Sequence, residues 1–245
     1  MTARAAHAEA LRARPPAQWE EYLEQHSGLP GPRADLELLD VVGDLADAAR
    51  LRAWSASPDE YLAACGTAGL GRLVTAVEDA DAMTLRDRAG DGRWRVREGV
   101  AMALQRVGDR TPALLRDLLA AWADGDPLVL RAAAAGVCEP RLLRDPATVA
   151  AALDLLDVAT SALAGLPSGR RRDDDVRTLR KGLGYCWSVA VAADPAAGFP
   201  RLERWLVDDP DVRWVVRQNL GKARLTRADA ERAAHLADLL RATTP

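Results

Sequence analysis

The sequence predicts an all-α protein, an α-α superhelix of stacked antiparallel helix pairs. Three observations carry that prediction. A stretch at 91–109, DGRWRVREGVAMALQRVGD, returns in outline along the chain. Helix starts are written repeatedly as a capping residue followed by proline, which satisfies a free N–H and then supplies a residue that has none. No segment sustains the apolar–polar alternation of a half-buried strand.

The elements follow in order. Residues 2–14 favour helix, which Pro15-Pro16 ends; a short helix over 17–25 precedes the breaker at 28–33. Residues 1–33 therefore read as an N-terminal helical cap, and 34–245 as the solenoid, the whole forming one continuous domain. Asp35–Trp54 reads as one amphipathic helix, with Leu38, Leu39, Val42, Leu45 and Ala49 at helical spacing. Ser57-Pro58-Asp59-Glu60 starts the next helix as a capping box. Gly66, Gly69 and Gly71 follow, with no Gly-Lys-Ser/Thr after them. Close helix–helix approach explains them better than a phosphate loop. The clearest repeats span 80–224. Their helices start near Asp79, Thr111-Pro112, Asp126-Pro127, Asp145-Pro146 and Asp194-Pro195, with a solvated loop at 165–173. A helix over 227–241 closes the far end.

Four copies of the 91–109 outline share an Asp and a following Arg: Asp91 with Arg97, Asp126 with Arg131, Asp174 with Arg180, and Asp211 with Arg217. The arginines are 34, 49 and 37 residues apart, and each follows an aliphatic residue: Val96, Leu130, Leu179 or Val216. The pattern resembles HEAT repeats, in which each unit stacks on its neighbours because it cannot bury its apolar face alone. The resemblance covers roughly 91–224. It implies that these Asp and Arg side chains form a structural ladder between successive repeats.

Composition narrows the function classes. The 245 residues carry a formal charge of -3, so the chain as a whole has no strong pull toward nucleic acid or membrane. Lys181 and Lys222 are the only lysines and Asn219 is the only asparagine, which points to a GC-rich genome. Cys65, Cys138 and Cys186 show no close pair and no Cys-x-x-Cys, so buried free thiols are expected rather than disulfides or zinc. The three histidines are scattered, and neither metal nor cofactor is expected. With no signal core and no apolar run approaching a membrane span, a cytoplasmic protein with no membrane partner is expected.

The second helix of each HEAT pair lines the concave face, so its exposed positions are the candidate surface. With their flanking turns, the four second helices sum to +5, as a groove for an anionic partner requires. Ladder arginines set aside, the candidates to face a partner are Arg93, Arg95, Arg177, Lys181, Arg213 and Lys222. Trp94 and Trp214 occupy equivalent first-turn places, suited to stacking on a partner or plugging the seam between repeats. The leading expectation is a non-enzymatic scaffold that binds a protein partner, since no catalytic constellation is present in the sequence. The alternative is DNA binding. The HEAT-like bacterial alkylpurine DNA glycosylases use an aspartate near tryptophans, and Trp122/Asp126 and Trp205/Asp209 have the Trp-x-x-x-Asp spacing. Both pairs run off a first helix into Asp-Pro, so no catalytic residue is assigned.

Overall fold

The computed structural model describes residues 2–31 and 33–242, and among them every regular element is a helix. The chain divides into two compact units, residues 1–110 and 111–245.

In the first unit, α1 (Ala3–Arg12), α2 (Trp19–His26), α3 (Leu36–Leu45), α4 (Ala48–Ser55), α5 (Glu60–Leu70), α6 (Ala80–Arg88) and α7 (Trp94–Arg110) follow one another. The stretch expected as one helix over 35–54 is two. Asp47 turns its carboxylate onto the Arg50 N–H at 2.8 Å and starts α4 afresh, leaving Ala46 extended. A capping side chain inside an amphipathic run competes with the helix it sits in.

Helix α5 is the centre of this unit, flanked by α3, α4 and α7. Its glycines are contact points. A Cβ on Gly66 would come within 2.2 Å of the Ser55 nitrogen, and one on Gly69 within 2.2 Å of Leu51 Cδ2. Gly71, just beyond α5, lets the Ala103 carbonyl of α7 approach. Side chains at these positions would push α4 and α7 away and open voids in a close-packed interior.

Arginines close the helix ends here. Arg72, after α5, donates to the carbonyls of Asp44 and Ala46 at the end of α3. Arg110, ending α7, donates in the same way to the carbonyls of Arg72 and Val74. The first two carbonyls lie at the end of α3 and the other two in the turn after α5, where no further helical turn supplies donors, so each guanidinium supplies one. Asp40 and Asp44, one turn apart on α3, are held between Arg4 of α1 and Arg106 of α7.

The second unit comprises α8 (Pro112–Trp122), α9 (Pro127–Val137), α10 (Pro146–Gly165), α11 (Asp174–Ala193), α12 (Pro195–Glu203), α13 (Pro210–Leu220), α14 (Ala223–Ala228) and α15 (Ala230–Ala242). Prolines open α8, α9, α10, α12 and α13, and in the last four an aspartate caps the free N–H groups. Helices α9, α11 and α13 lie side by side, with α10 against both α9 and α11. Helix α10 is 20 residues long with a mean hydropathy of 1.5, long and apolar enough to cross a membrane, yet half of that window is buried inside the protein. Its Asp157 accepts the Trp205 indole N–H at 2.7 Å and the Arg204 guanidinium at 2.7 Å, which ties it to the end of α12. Trp187 of α11 is fully buried and donates to Thr160 of α10 at 3.0 Å.

Candidate interaction surface

The arginines of α7 are mostly engaged within the first unit. Asp91 takes both Nε and Nη2 of Arg93, at 2.9 and 2.7 Å, while Arg93 Nη1 donates to the Ser57 carbonyl at 2.8 Å. The Asp91 side chain is 9% exposed, and the Arg93 hydrogen bonds hold its carboxyl below the usual carboxylate range. Arg95 bonds Glu98 at 2.7 Å, and its backbone N–H is capped by Glu60 from α5. Arg97 reaches the Asp91 carbonyl and lies over the Trp94 ring, 5.5 Å from its centroid. Trp94 itself is 44% exposed. Of the candidates around the start of this helix, Arg93 and Arg95 therefore spend donors internally, and Trp94 remains on the surface.

In the second unit the arginine–aspartate contact runs between neighbouring helices. Asp211 at the start of α13 is 5% exposed and receives Arg180 from α11. It also receives Arg171 at 2.6 Å, and Arg171 holds Asp209 as well. Arg171 belongs to the 165–173 stretch expected as a solvated loop; part of that stretch, 168–172, is a turn of 3-10 helix, and this arginine anchors it to the start of α13. Asp174, by contrast, is almost fully exposed and among the described residues pairs with Arg177 alone, at 3.7 Å. The acid that meets Arg180 is thus Asp211 of the following helix rather than Asp174 of its own. Asp126 caps α9 through the Leu128 and Val129 N–H groups. Arg131 is half-buried, with its stem against Gly182.

Two candidates of α13 are not where a partner-facing role needs them. Arg213 is 7% exposed and donates to the Leu240 carbonyl of α15 at 3.0 Å, closing the end of that helix. Trp214 is half-buried: Arg180 lies 5.0 Å from its ring centroid, and a Cβ on Gly184 would strike the ring at 2.7 Å. It fills the seam between α11 and α13. Arg217, read as a ladder residue, is exposed and forms no ion pair among the described residues.

What remains on the surface is a strip on α11. Arg177, Lys181 and Tyr185 recur every four residues, so they share one helical face, and all three are exposed. Lys181 and Lys222 make no ion pair among the described residues. Arg224 lies 4.5 Å over the Tyr185 ring and donates to its hydroxyl at 2.9 Å. Neither Arg224 nor Arg227 has a carboxylate partner among the described residues. Tyr185 and Arg224 carry no motif; their four-residue phase with Lys181 and the polar turn after α13 were the only sequence signals for them.

The remaining residues singled out by sequence are structural. Trp122 is 2% exposed, Asp126 is a cap, the Trp205 indole is bonded to Asp157, and Asp209 is held by Arg171. Neither Trp–Asp pair presents an uncommitted carboxylate. Cys65, Cys138 and Cys186 are buried free thiols, but Cys138 and Cys186, distant in sequence, lie beside each other. That contact, together with burial, holds the Cys138 thiol well above its ordinary range. No cluster of metal-ligating side chains occurs among the described residues. No protein-family model and no curated protein matches the chain.

Proposed function

We propose that this chain is a HEAT-like repeat scaffold, non-enzymatic and cytoplasmic, that binds an acidic protein partner through the exposed face of α11. The observation that carries the reading is the Arg177–Lys181–Tyr185 strip. It sets two exposed cations in phase with an exposed aromatic, on a helix whose other faces are committed to α9, α10 and α13. An aromatic anchor beside cations is the composition of a protein contact site, with charge setting association rate and register.

Duplex DNA is the second reading, because the same cations would serve phosphates. Against it, three of the six cations expected to face a partner (Arg93, Arg95 and Arg213) bond to the protein itself. Neither tryptophan–aspartate pair supports a glycosylase-like site.

Fluorescence anisotropy with a glutamate-rich peptide and with a short duplex separates the two. Arg177→Glu combined with Lys181→Glu should weaken peptide binding at least about tenfold while leaving thermal stability unchanged, since both residues are exposed. Tighter binding to the duplex than to the peptide, with affinity falling about tenfold or more between low and moderate salt, would replace the protein-scaffold reading with the DNA reading.

A further inference from the structure

The second unit has a concavity that shares only Tyr185 with the α11 strip. It measures about 400 Å³, at the small end of ligand-binding clefts. Its walls are apolar: Pro140 and Leu143 from the turn after α9, and Val189, Ala192 and Ala193 from the last two turns of α11. Its polar residues are Arg224 and Arg227 of α14 and Tyr185 of α11.

The charge is one-sided. Of the nearest carboxylates in sequence, Glu139 is bonded to Arg141 at 3.2 Å, and Asp194 caps α12 through the Ala197 N–H. Neither lines the concavity. Arg224 spends one N–H on Tyr185, and Arg227 spends its Nε–H on the Ala223 carbonyl at 3.3 Å, so both keep terminal guanidinium donors. Elsewhere in this unit, Arg171, Arg180 and Arg201 each meet a carboxylate. Here two guanidiniums and a phenol border an apolar hollow with no acid among the described residues to meet them.

We propose that this concavity is a binding site for a small amphiphilic carboxylic acid. Its carboxylate would bridge Arg224 and Arg227 beside the Tyr185 hydroxyl, and its short alkyl chain would lie against Leu143, Val189 and Ala193. A carboxylate matches guanidinium donors in geometry and charge, and the apolar wall rewards an unbranched stem over a bare anion. The site overlaps the acidic-partner surface at Tyr185 alone, since neither Arg177 nor Lys181 lines it.

The test is a titration of the full chain with octanoate, followed by amide chemical shifts, with octanol and octylammonium as controls of equal chain length. Octanoate should shift amides at 185–193 and 224–227 in a saturable manner. Arg224→Gln should weaken it at least about tenfold, the loss expected of one charge-assisted hydrogen bond. Ala193→Trp, at an exposed wall position, should abolish binding by filling the hollow without disturbing the fold. Arg177→Glu with Lys181→Glu should leave octanoate binding intact, which distinguishes failure of this site from failure of the protein-docking surface. The proposal is overturned if octanol binds as well as octanoate, if Arg224→Gln leaves the affinity unchanged, or if octanoate shifts no amide in these segments.

Discussion

Replacing Arg180 by alanine tests whether the contact between α11 and α13 is held by charge or by packing alone. The guanidinium meets Asp211, whose side chain is 7% exposed, and covers the Trp214 ring at 5.0 Å. Breaking a fully buried pair costs about 3–5 kcal/mol because a charge is stranded. Here the cost is smaller, for two reasons. The Arg180 side chain is 27% exposed, and Asp211 keeps Arg171 at 2.6 Å. Loss of the cation–π contact adds about 1 kcal/mol at a partly desolvated ring. We therefore expect about 2 kcal/mol for Arg180→Ala in urea unfolding followed by tryptophan fluorescence, with an unchanged dependence on denaturant. In a double-mutant cycle with Asp211→Ala the coupling should be about 1–2 kcal/mol. The exposed pair Arg241–Asp238, with side chains 72% and 68% exposed, serves as a control expected to couple by under about 0.5 kcal/mol. A coupling for Arg180–Asp211 no larger than that of the control would show that the arginine–aspartate contact is incidental to the stacking.

Asn219 is fully buried and bridges two helices: its Oδ1 accepts the Ser188 N–H at 2.7 Å, and its Nδ2 donates to the Leu183 and Val215 carbonyls at 2.8 Å each. Asn219→Ala should cost about 2–3 kcal/mol, against under about 0.5 kcal/mol for the partly exposed Gln218→Ala, both read by chemical denaturation. Asp91 supplies a pH signature. Its folded-state pKa is lowered, chiefly by the Arg93 hydrogen bonds, so its contribution is complete above the unfolded-state value, about 3.9, and is lost as pH falls through the folded-state value. Stability measured from pH 7 downward should show wild type above Asp91→Asn near neutrality, with the gap closing below about pH 4; a gap that persists there would remove charge from the account of this contact.

The helices were legible because their starts are local chemistry: an aspartate and a proline specify a first turn whatever lies around them. The glycines of α5 were legible for a related reason, since no turn or phosphate motif competed for them. The surface was harder. Arg93, Arg95 and Arg213 look alike in sequence, each lying beside or one residue from a first-turn tryptophan, and only the fold reveals that Ser57, Glu98 and Leu240 consume them. Arg171 was hidden in a charge-balanced run because its acids lie about 40 residues ahead, at the start of α13. Long-range pairing of one arginine among many leaves no trace in spacing. The same holds for Cys138 and Cys186, whose contact is made by α9 and α11 lying side by side.

The arginine closures of the first unit form a series of plugs and sockets. Arg72 is a plug for the carbonyls of Asp44 and Ala46, and its own backbone carbonyl is half of the socket that Arg110 fills. A segment from one socket to the next carries both halves of the joint. The two closures are therefore linked in series: a shift of the turn after α5 moves a plug and a socket at once, so the ends of α3 and α7 loosen together.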